Sequence, residues 1–351
     1  MLGKLPPELC DIHFTPEYGR IYRESYGFVP FLAVYSDAWG FVLQPFVRRP
    51  LGRLPFLVSS QDRHGFSDIA NPYGYGGPVT DQRDGAKASA LYGSFAKSFA
   101  AWCEKESIAS EFSSLHPFMA DRQRALLGGV ITPQHMKDVV FIDLEPDQAA
   151  FHASLRKGHR SSISTAQRGG VEVKKVEASA DNLGRFATMY EETMVRRDAA
   201  ERWYVSDNFF AQCMAQLGDA RSSLLFAYVG GELESGCLLI HDFSTAYYHF
   251  AGTFAKHPAL GVNNLMVFEA ANLARSMGYK RLHLGGGVTS DTDDTLLRFK
   301  AGFSDLRAPL YSYFCVRSKG VYDALCERKS AHEIATTGSE SLSDFLPAYR
   351  R

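Results

Sequence analysis

Three strand-length runs, Leu224 to Val229 (LLFAYV), Gly236 to His241 (GCLLIH) and Ala246 to Gly252 (AYYHFAG), follow one another across gaps too short for a helix. This limits the fold more than any other feature. Parallel neighbours need a crossover of a dozen or more residues, so runs spaced this closely pair as an antiparallel meander. Gly230 and Gly231 supply the first turn. Before the meander, Val171 to Val176 reads as a strand and Asp181 to about Arg197 as a helix. After it come a helix from about Val262 to Met277, a strand Arg281 to Leu284, a glycine loop, a short helix and a strand Pro309 to Val316. Strand, helix, three antiparallel strands, helix, strand, helix, strand is an α+β order.

A chain of 351 residues exceeds what one core usually supports, so two domains are expected. The first half carries a helix from about Pro16, strands at Phe31 to Tyr35 and Gly40 to Phe46, and a turn-rich loop, Asn71 to Pro78 (NPYGYGGP). A long helix from about Asp84 to Glu106 and a strand near Ser110 to Leu115 follow. Val139 to Leu144 is a strand leading into EPDQAAFHASLRKGHRSSISTAQRGG, read as one helix ended by Gly169 and Gly170. No repeat shows by residue identity, but the rhythm of strands and helices occurs twice. The last segment begins as a helix, Val321 to Arg328, turns polar and ends in FLPAYRR.

The hydrophobic share of 45% and charged share of 22% are those of a soluble globular chain with room for a large core. A formal net charge of -1 gives no global attraction to nucleic acid or anionic membrane, and DNA is not expected as a partner. The segment Arg156 to Lys175 is locally basic, with Arg156, Lys157, Arg160, Arg168, Lys174 and Lys175 against Glu172. A solvated helix face is the simpler reading of it, and a local RNA contact the other. The six cysteines are scattered without a CxxC pair or a histidine at metal spacing, so reduced thiols and no metal are expected. No run reaches membrane-spanning length and the start lacks a leader pattern, which reads as a cytoplasmic protein. The oligomeric state is open.

The stretch Leu296 to Phe303 (LLRFKAGF) has helical periodicity, with Leu296, Leu297, Phe299 and Phe303 on one arc and Arg298 opposite. Lys300 falls inside the apolar arc. A lysine there must reach water, find an anion or lose its proton. Before this helix, His283 to Asp294 (HLGGGVTSDTDD) holds three successive glycines, which allow positive φ and close backbone approach, so that N–H groups of Gly285 and Gly286 could face a ligand. Its aspartates read as caps for the helix rather than as a metal site. Tyr248 and His249 lie on opposite faces of their strand, so one should face a cleft. Cys237 and Cys315 sit in apolar strand runs and read as inert. No serine occupies a G-x-S-x-G elbow.

The order of residues 171 to 316 resembles the GNAT acyltransferase fold, and LHLGGG, RFKAGF and SLRKGHRSSI together resemble its FemABX-like branch. FSDIANPYGYGGP and EFSSLHPF in the first half are similar to bacterial relatives. The resemblance implies tandem GNAT-like domains, each a mixed, mostly antiparallel sheet flanked by helices. The first would span residues 1–145, completed by 318–351, and the second, catalytic one residues 146–317. The long coiled-coil arm of some relatives is missing, for no sustained heptad occurs. By resemblance, Lys300 and Phe299 lie at the catalytic centre, and Arg196, Arg197 and Tyr204 lie where acceptors bind. Those three, with Tyr248 and His249, read equally as ligand-binding or structural.

The family's activity is acyl transfer, often of an aminoacyl group from charged tRNA to an amine. Coenzyme-A-dependent relatives present amides to pyrophosphate at a glycine-rich turn before a helix. Here that turn is AKHPALGVNNLM, keeping Gly261 but placing Val262 and Asn263 where small residues belong. The departure tilts toward aminoacyl-tRNA as donor, with Gly261, Asn263, Gly285, Gly286 and Arg160 as donor-side candidates. The acceptor is an amine of a small molecule, peptide or cell-wall-type precursor, and no tightly bound cofactor is implied. An acyl-CoA-dependent N-acyltransferase acting on an amino sugar or secondary metabolite is the alternative, and a non-catalytic binding protein the third reading.

Overall fold

The computed structural model describes residues 2–57, 65–289, 291, 293–339 and 346–350. Ser290 and Thr292 of the glycine loop and residues 340–345 of the polar tail lie outside the described residues. The chain forms two compact units. One comprises Met1–Leu9, Tyr22–Met136 and Leu310–Arg351, the other Cys10–Ile21 and Lys137–Pro309. The sequence expectation set the divisions after residues 145 and 317.

After helix α1 (Pro16–Tyr26), the first unit opens with a hairpin of β1 (Val29–Asp37) and β2 (Gly40–Pro50), in register from Val29 opposite Arg48 to Asp37 opposite Gly40. Strands β3 (Ser67–Ala70) and β4 (Val79–Thr80) pair antiparallel with β2. Helix α2 (Gly85–Lys105) then crosses to β5 (Ile108–Ser114), which runs parallel to β3. Asp84 starts α2 by accepting a hydrogen bond from Lys87 N at 3.0 Å. Ala88, Leu91, Tyr92, Phe95, Phe99 and Cys103 recur at helical spacing and bury one face of α2 with Val42, Phe46, Ile69 and Ile108. Helix α3 (Ala120–Leu127) adds Leu126 and Leu127 to this core. Two late elements complete the unit, β12 (Arg307–Val316), antiparallel to β5, and α10 (Lys319–Thr337).

The second unit takes its first strand, β6 (Gln134–Asp143), ahead of helices α4 (Gln148–Ser154) and α5 (Lys157–Arg168). Strand β7 (Glu172–Val176), helices α6 (Ala180–Arg196) and α7 (Phe209–Leu217), and the meander β8 (Ser222–Val229), β9 (Glu232–Asp242) and β10 (Thr245–Thr253) follow. Helix α8 (Val262–Ser276), β11 (Arg281–Gly285) and α9 (Thr295–Lys300) complete it. The strand order is β6-β11-β10-β9-β8-β7, antiparallel throughout except that β10 and β11 run parallel. Leu265, Met266, Phe268 and Ala274 of α8 bury against Leu225, Leu239, Leu282 and Phe303.

The double rhythm of the sequence thus has a structural counterpart. In each unit one parallel pair is joined across a helix, β3–α2–β5 and β10–α8–β11, and the second strand of the pair has an antiparallel neighbour beyond it, β12 or β6. The α+β class and mixed, mostly antiparallel sheets expected from the sequence are what the chain has.

Two helix readings are corrected. The single helix of EPDQAAFHASLRKGHRSSISTAQRGG is α4 and α5, broken where Leu155 (ψ 149) and Arg156 (ψ 142) turn extended. Leu155 is buried, and Arg156 N donates to Gly302 O at 3.1 Å instead of continuing the helix. The helix of LLRFKAGF ends at Lys300, but the next turn keeps Phe303 inward by donating its N–H to Lys300 O at 3.1 Å. Sequence reading missed β3, β4, α3 and α7 and cut α10 short.

Candidate functional site

Three glycines follow one another at the end of β11, and each is required for a different reason. Gly285 has φ +80, a left-handed conformation, and a Cβ there would lie 3.2 Å from Lys300 Nζ. A Cβ on Gly286 would lie 3.0 Å from Asp138 O, against β6. A Cβ on Gly287 would lie 2.5 Å from Asp294 Cγ. The turn is therefore clamped between β6 and the entry to α9, where no side chain fits.

Asp294 provides the second half of the clamp. Its Oδ1 caps α9 by accepting from Leu297 N at 2.8 Å, while Oδ2 accepts from Val288 N at 2.8 Å and Thr289 N at 2.9 Å. Burial pushes its carboxyl up, but these backbone donors outweigh that and hold it below the ordinary value. Asp294 is a cap, as the sequence suggested, and its charge is spent on backbone N–H groups.

With the turn and helix tied together, two lysines reach successive carbonyls of the turn. Lys300 Nζ donates to Gly286 O at 2.7 Å, and Lys137 Nζ, from β6, donates to Gly287 O at 2.6 Å. No described carboxylate is bonded to either. Burial, then the positive charge of Lys137, pulls Lys300 down to about 7, with Arg197 adding to the effect and Asp294 opposing it. Lys137 is lowered for the same first reason, burial. Of the three fates open to a lysine in an apolar arc, Lys300 approaches the loss of its proton. The turn grips the lysines by its carbonyls, whereas the sequence pointed to its N–H groups.

His159 of α5 fixes the other end of α9. Its Nε2 lies 2.8 Å from Phe299 O, and its ring meets Phe303 edge-on with centroids 4.6 Å apart. Burial lowers its pKa, and since a carbonyl oxygen only accepts, Nε2 is the donor. Gly302 makes room, since a Cβ there would fall 2.0 Å from His159 Cε1. Phe299 packs its partly buried ring on the core beside Phe303. His159 was legible only as part of SLRKGHRSSI, and Lys137 had no signal beyond its place before a strand.

The remaining candidates separate. Arg196 Nη2 is tied to Thr253 O at 2.6 Å, at the end of β10. Arg197 is exposed, and its charge reaches Lys300. Tyr204 is 38% exposed after a short turn, its N–H on Glu201 O. Arg160 Nη1 donates to Ala153 O at 2.9 Å and also to Leu155 O, closing the end of α4. Gly261 adopts φ 68 and lets α5 approach so closely that a Cβ would lie 2.6 Å from Ser162 O. Asn263 Oδ1 accepts from Ser235 Oγ at 2.8 Å.

Strand β10 carries a register shift between Tyr248 and Phe250, a bulge at His249 in its pairing with β9. Tyr248 packs on the core beside Cys237, while His249 lies 3.3 Å from Tyr18 OH with its ring near His13. Next to them, Asp11 accepts from Tyr247 OH at 2.5 Å and lies 2.6 Å from His13 Nδ1. This buried polar group went unseen in the sequence, because DIHF at residues 11–14 carries no pattern. All six cysteines are free, and burial pushes the Cys315 thiol up to about 11 and Cys237 well above its ordinary value.

Residues 153–300 match the acetyltransferase (GNAT) domain family, a segment that ends on Lys300. The crystal structure of FemX is similar with a TM-score of 0.64 at 13% identity, covering 90% of this chain and 94% of that one. The C-terminal domain of a putative lysylphosphatidylglycerol synthetase from Agrobacterium fabrum gives 0.52 at 14%, covering 94% and 98%. L-PGS from Bacillus licheniformis gives 0.53 at 13%, covering 88% and 94%. A search of curated proteins returns no match. At such identities the likeness establishes the fold. Among the described residues no helix is long and apolar enough to cross a membrane.

Proposed function

We propose that this chain, which carries a GNAT acyltransferase domain on a FemX-like fold, transfers an aminoacyl group from aminoacyl-tRNA to an amine of a small-molecule, peptide or cell-wall-type acceptor. The observation that carries the reading is Lys300, partly buried, held on Gly286 O with no described carboxylate bonded to it, where the match to the GNAT domain family ends. Aminolysis of an ester needs a neutral amine, a route for its proton and a donor for the oxyanion that forms on the carbonyl. As the acceptor nitrogen bonds to the ester carbon, its proton leaves, and the bond to the tRNA oxygen breaks as that oxygen takes a proton. A lysine near 7 serves the first step as base and the second, once charged, as acid and oxyanion donor. Phe299, bonded through its carbonyl to His159, orients the end of α9. In this reading the second unit is catalytic, and the exposed Arg197 and Tyr204 remain the acceptor-side candidates.

The donor assignment is supported at the start of α8. A coenzyme A pyrophosphate needs open amides at a glycine-rich turn. Here the only glycine of that turn, Gly261, abuts Ser162 O of α5, and Asn263 is engaged by Ser235. A shared fold with a protein whose name denotes synthesis of a lysyl lipid is compatible with aminoacyl chemistry. A cytoplasmic setting follows, because charged tRNA is found there. The second reading, an acyl-CoA-dependent N-acyltransferase, draws support from the acetyltransferase family match.

A paired assay on a pool of amines, with charged tRNA in one arm and acetyl-CoA in the other, separates the two. RNase-sensitive incorporation of an amino acid is the expected result. Transfer from acetyl-CoA alone would overturn the donor assignment and make the Gly261 turn an unconventional pyrophosphate site.

A further inference from the structure

Lys137 is built into the same turn as Lys300. It stands on β6, one residue before Asp138, whose carbonyl presses on Gly286, and its own Cδ and Cε would lie 3.2 and 3.3 Å from a Cβ there. Its Nζ is bound to Gly287 O, one residue along from the carbonyl that holds Lys300. A lysine that only filled space would snorkel to water, as long cationic side chains usually do. Lys137 instead ends on the carbonyl next to the one that holds Lys300, and Asp294, whose negative charge acts on it, is committed to backbone N–H groups.

We propose that Lys137 is a positioning residue for the transfer: its fixed positive charge beside Lys300 keeps Lys300 able to give up its proton and act as the base for the acceptor amine. The proposal rests on the acyl-transfer reading above. As the new C–N bond forms, the amine proton passes to Lys300 Nζ, and the same proton goes to the leaving oxygen when the C–O bond breaks, so no outside acid or base is consumed. Two adjacent ammonium ions destabilise one another, and the more deeply placed one yields first. Among the described residues, Lys137 from β6, Asp294 from the loop and Arg197 after α6 act on the charge of Lys300, and His283 from β11 flanks the same turn, its Cε1 4.0 Å from a Cβ on Gly285. Arg202 adds positive charge at Lys137, and His159, its pKa lowered by burial, is turned to Phe299 O. Lys137 is the one whose ammonium bonds the carbonyl next to the one that holds Lys300.

The test reads Lys300 without any substrate. Competitive labelling of the intact protein with acetic anhydride across pH 5 to 11, followed by peptide mass spectrometry, gives the midpoint at which Lys300 becomes reactive. In Lys137→Met that midpoint should rise by about one unit, as expected on losing an adjacent like charge. Lys137→Arg keeps the charge and should leave it in place. A midpoint unmoved in Lys137→Met, with the variant folded by circular dichroism, would overturn the proposal. If the paired transfer assay failed while the midpoint still moved, the functional reading would be at fault and the lysine coupling would stand. Where transfer is detected, the acid limb of kcat/KM should move with the labelling midpoint in Lys137→Met and stay put in Lys137→Arg. A limb that ignored the labelling shift would show that Lys300 is not the base.

Discussion

Charging Lys300 has a cost in the folded state that an unfolded chain does not bear. Its folded value near 7 lies below the ordinary 10.5, so between these limits the unfolded chain binds more protons and stability rises with pH. Below about 7 the full cost is present. Lys300→Met removes it, so its melting temperature relative to wild type should be more favourable at pH 6 than at pH 10, measured by thermal unfolding at both. An equal difference at the two pH values would mean that Lys300 titrates normally. Gly285 tests the same contact from the other side. At φ +80, Gly285→Ala should cost about 1–2 kcal/mol and crowd Nζ, so both stability and transfer should fall. Lys300 was legible because it interrupts an apolar arc, and periodicity exposes such an interruption. Lys137 was not, because its partner lies 150 residues away in sequence and only the fold brings it near.

The short helix α9 and the turn before it act as one element, since Asp294 holds both. Asp294→Ala removes the cap and releases Val288 and Thr289, and should lower stability by about 1 kcal/mol, read by denaturant unfolding, while lowering kcat more than it raises KM. Asp294→Asn keeps an oxygen at the cap and should recover much of the stability. Equal kinetics for the alanine variant would separate the turn from the chemistry. The meander, α2 and α8 were legible from periodicity because each has one buried face and clear ends. The break between α4 and α5 was not, because nothing in SLRKG forbids helix. The break comes from Arg156 bonding to Gly302 O, a contact distant in sequence. The bulge at His249 similarly has no glycine to announce it.

At the scale of the whole chain, the C-terminus is tied into the first unit. Fully buried Asp68 accepts from Arg49 Nε at 2.7 Å, Arg350 Nη2 at 3.1 Å and Tyr349 OH at 3.0 Å. Burial alone would raise its carboxyl, but the two guanidinium groups together pull it below the ordinary value. Its contribution is therefore present above the ordinary carboxyl range and lost as pH falls through the depressed value. Arg350→Ala should cost roughly 1.5–3 kcal/mol at neutral pH, with a smaller gap from wild type in acid, both read by thermal unfolding. The sequence showed only an aromatic, basic tail, because which buried acid it meets is settled by tertiary packing. The tandem α+β plan was legible because the order of elements carries it, whereas the donor and acceptor depend on surfaces that no short motif encodes. The most direct measurement is single-turnover transfer by wild type and Lys300→Met at matched folding. We expect the substitution to slow the step by roughly 10²–10³-fold, the scale of losing one oxyanion donor, while substrate binding persists. Wild-type turnover in the folded variant would contradict the assignment of Lys300 to the reaction.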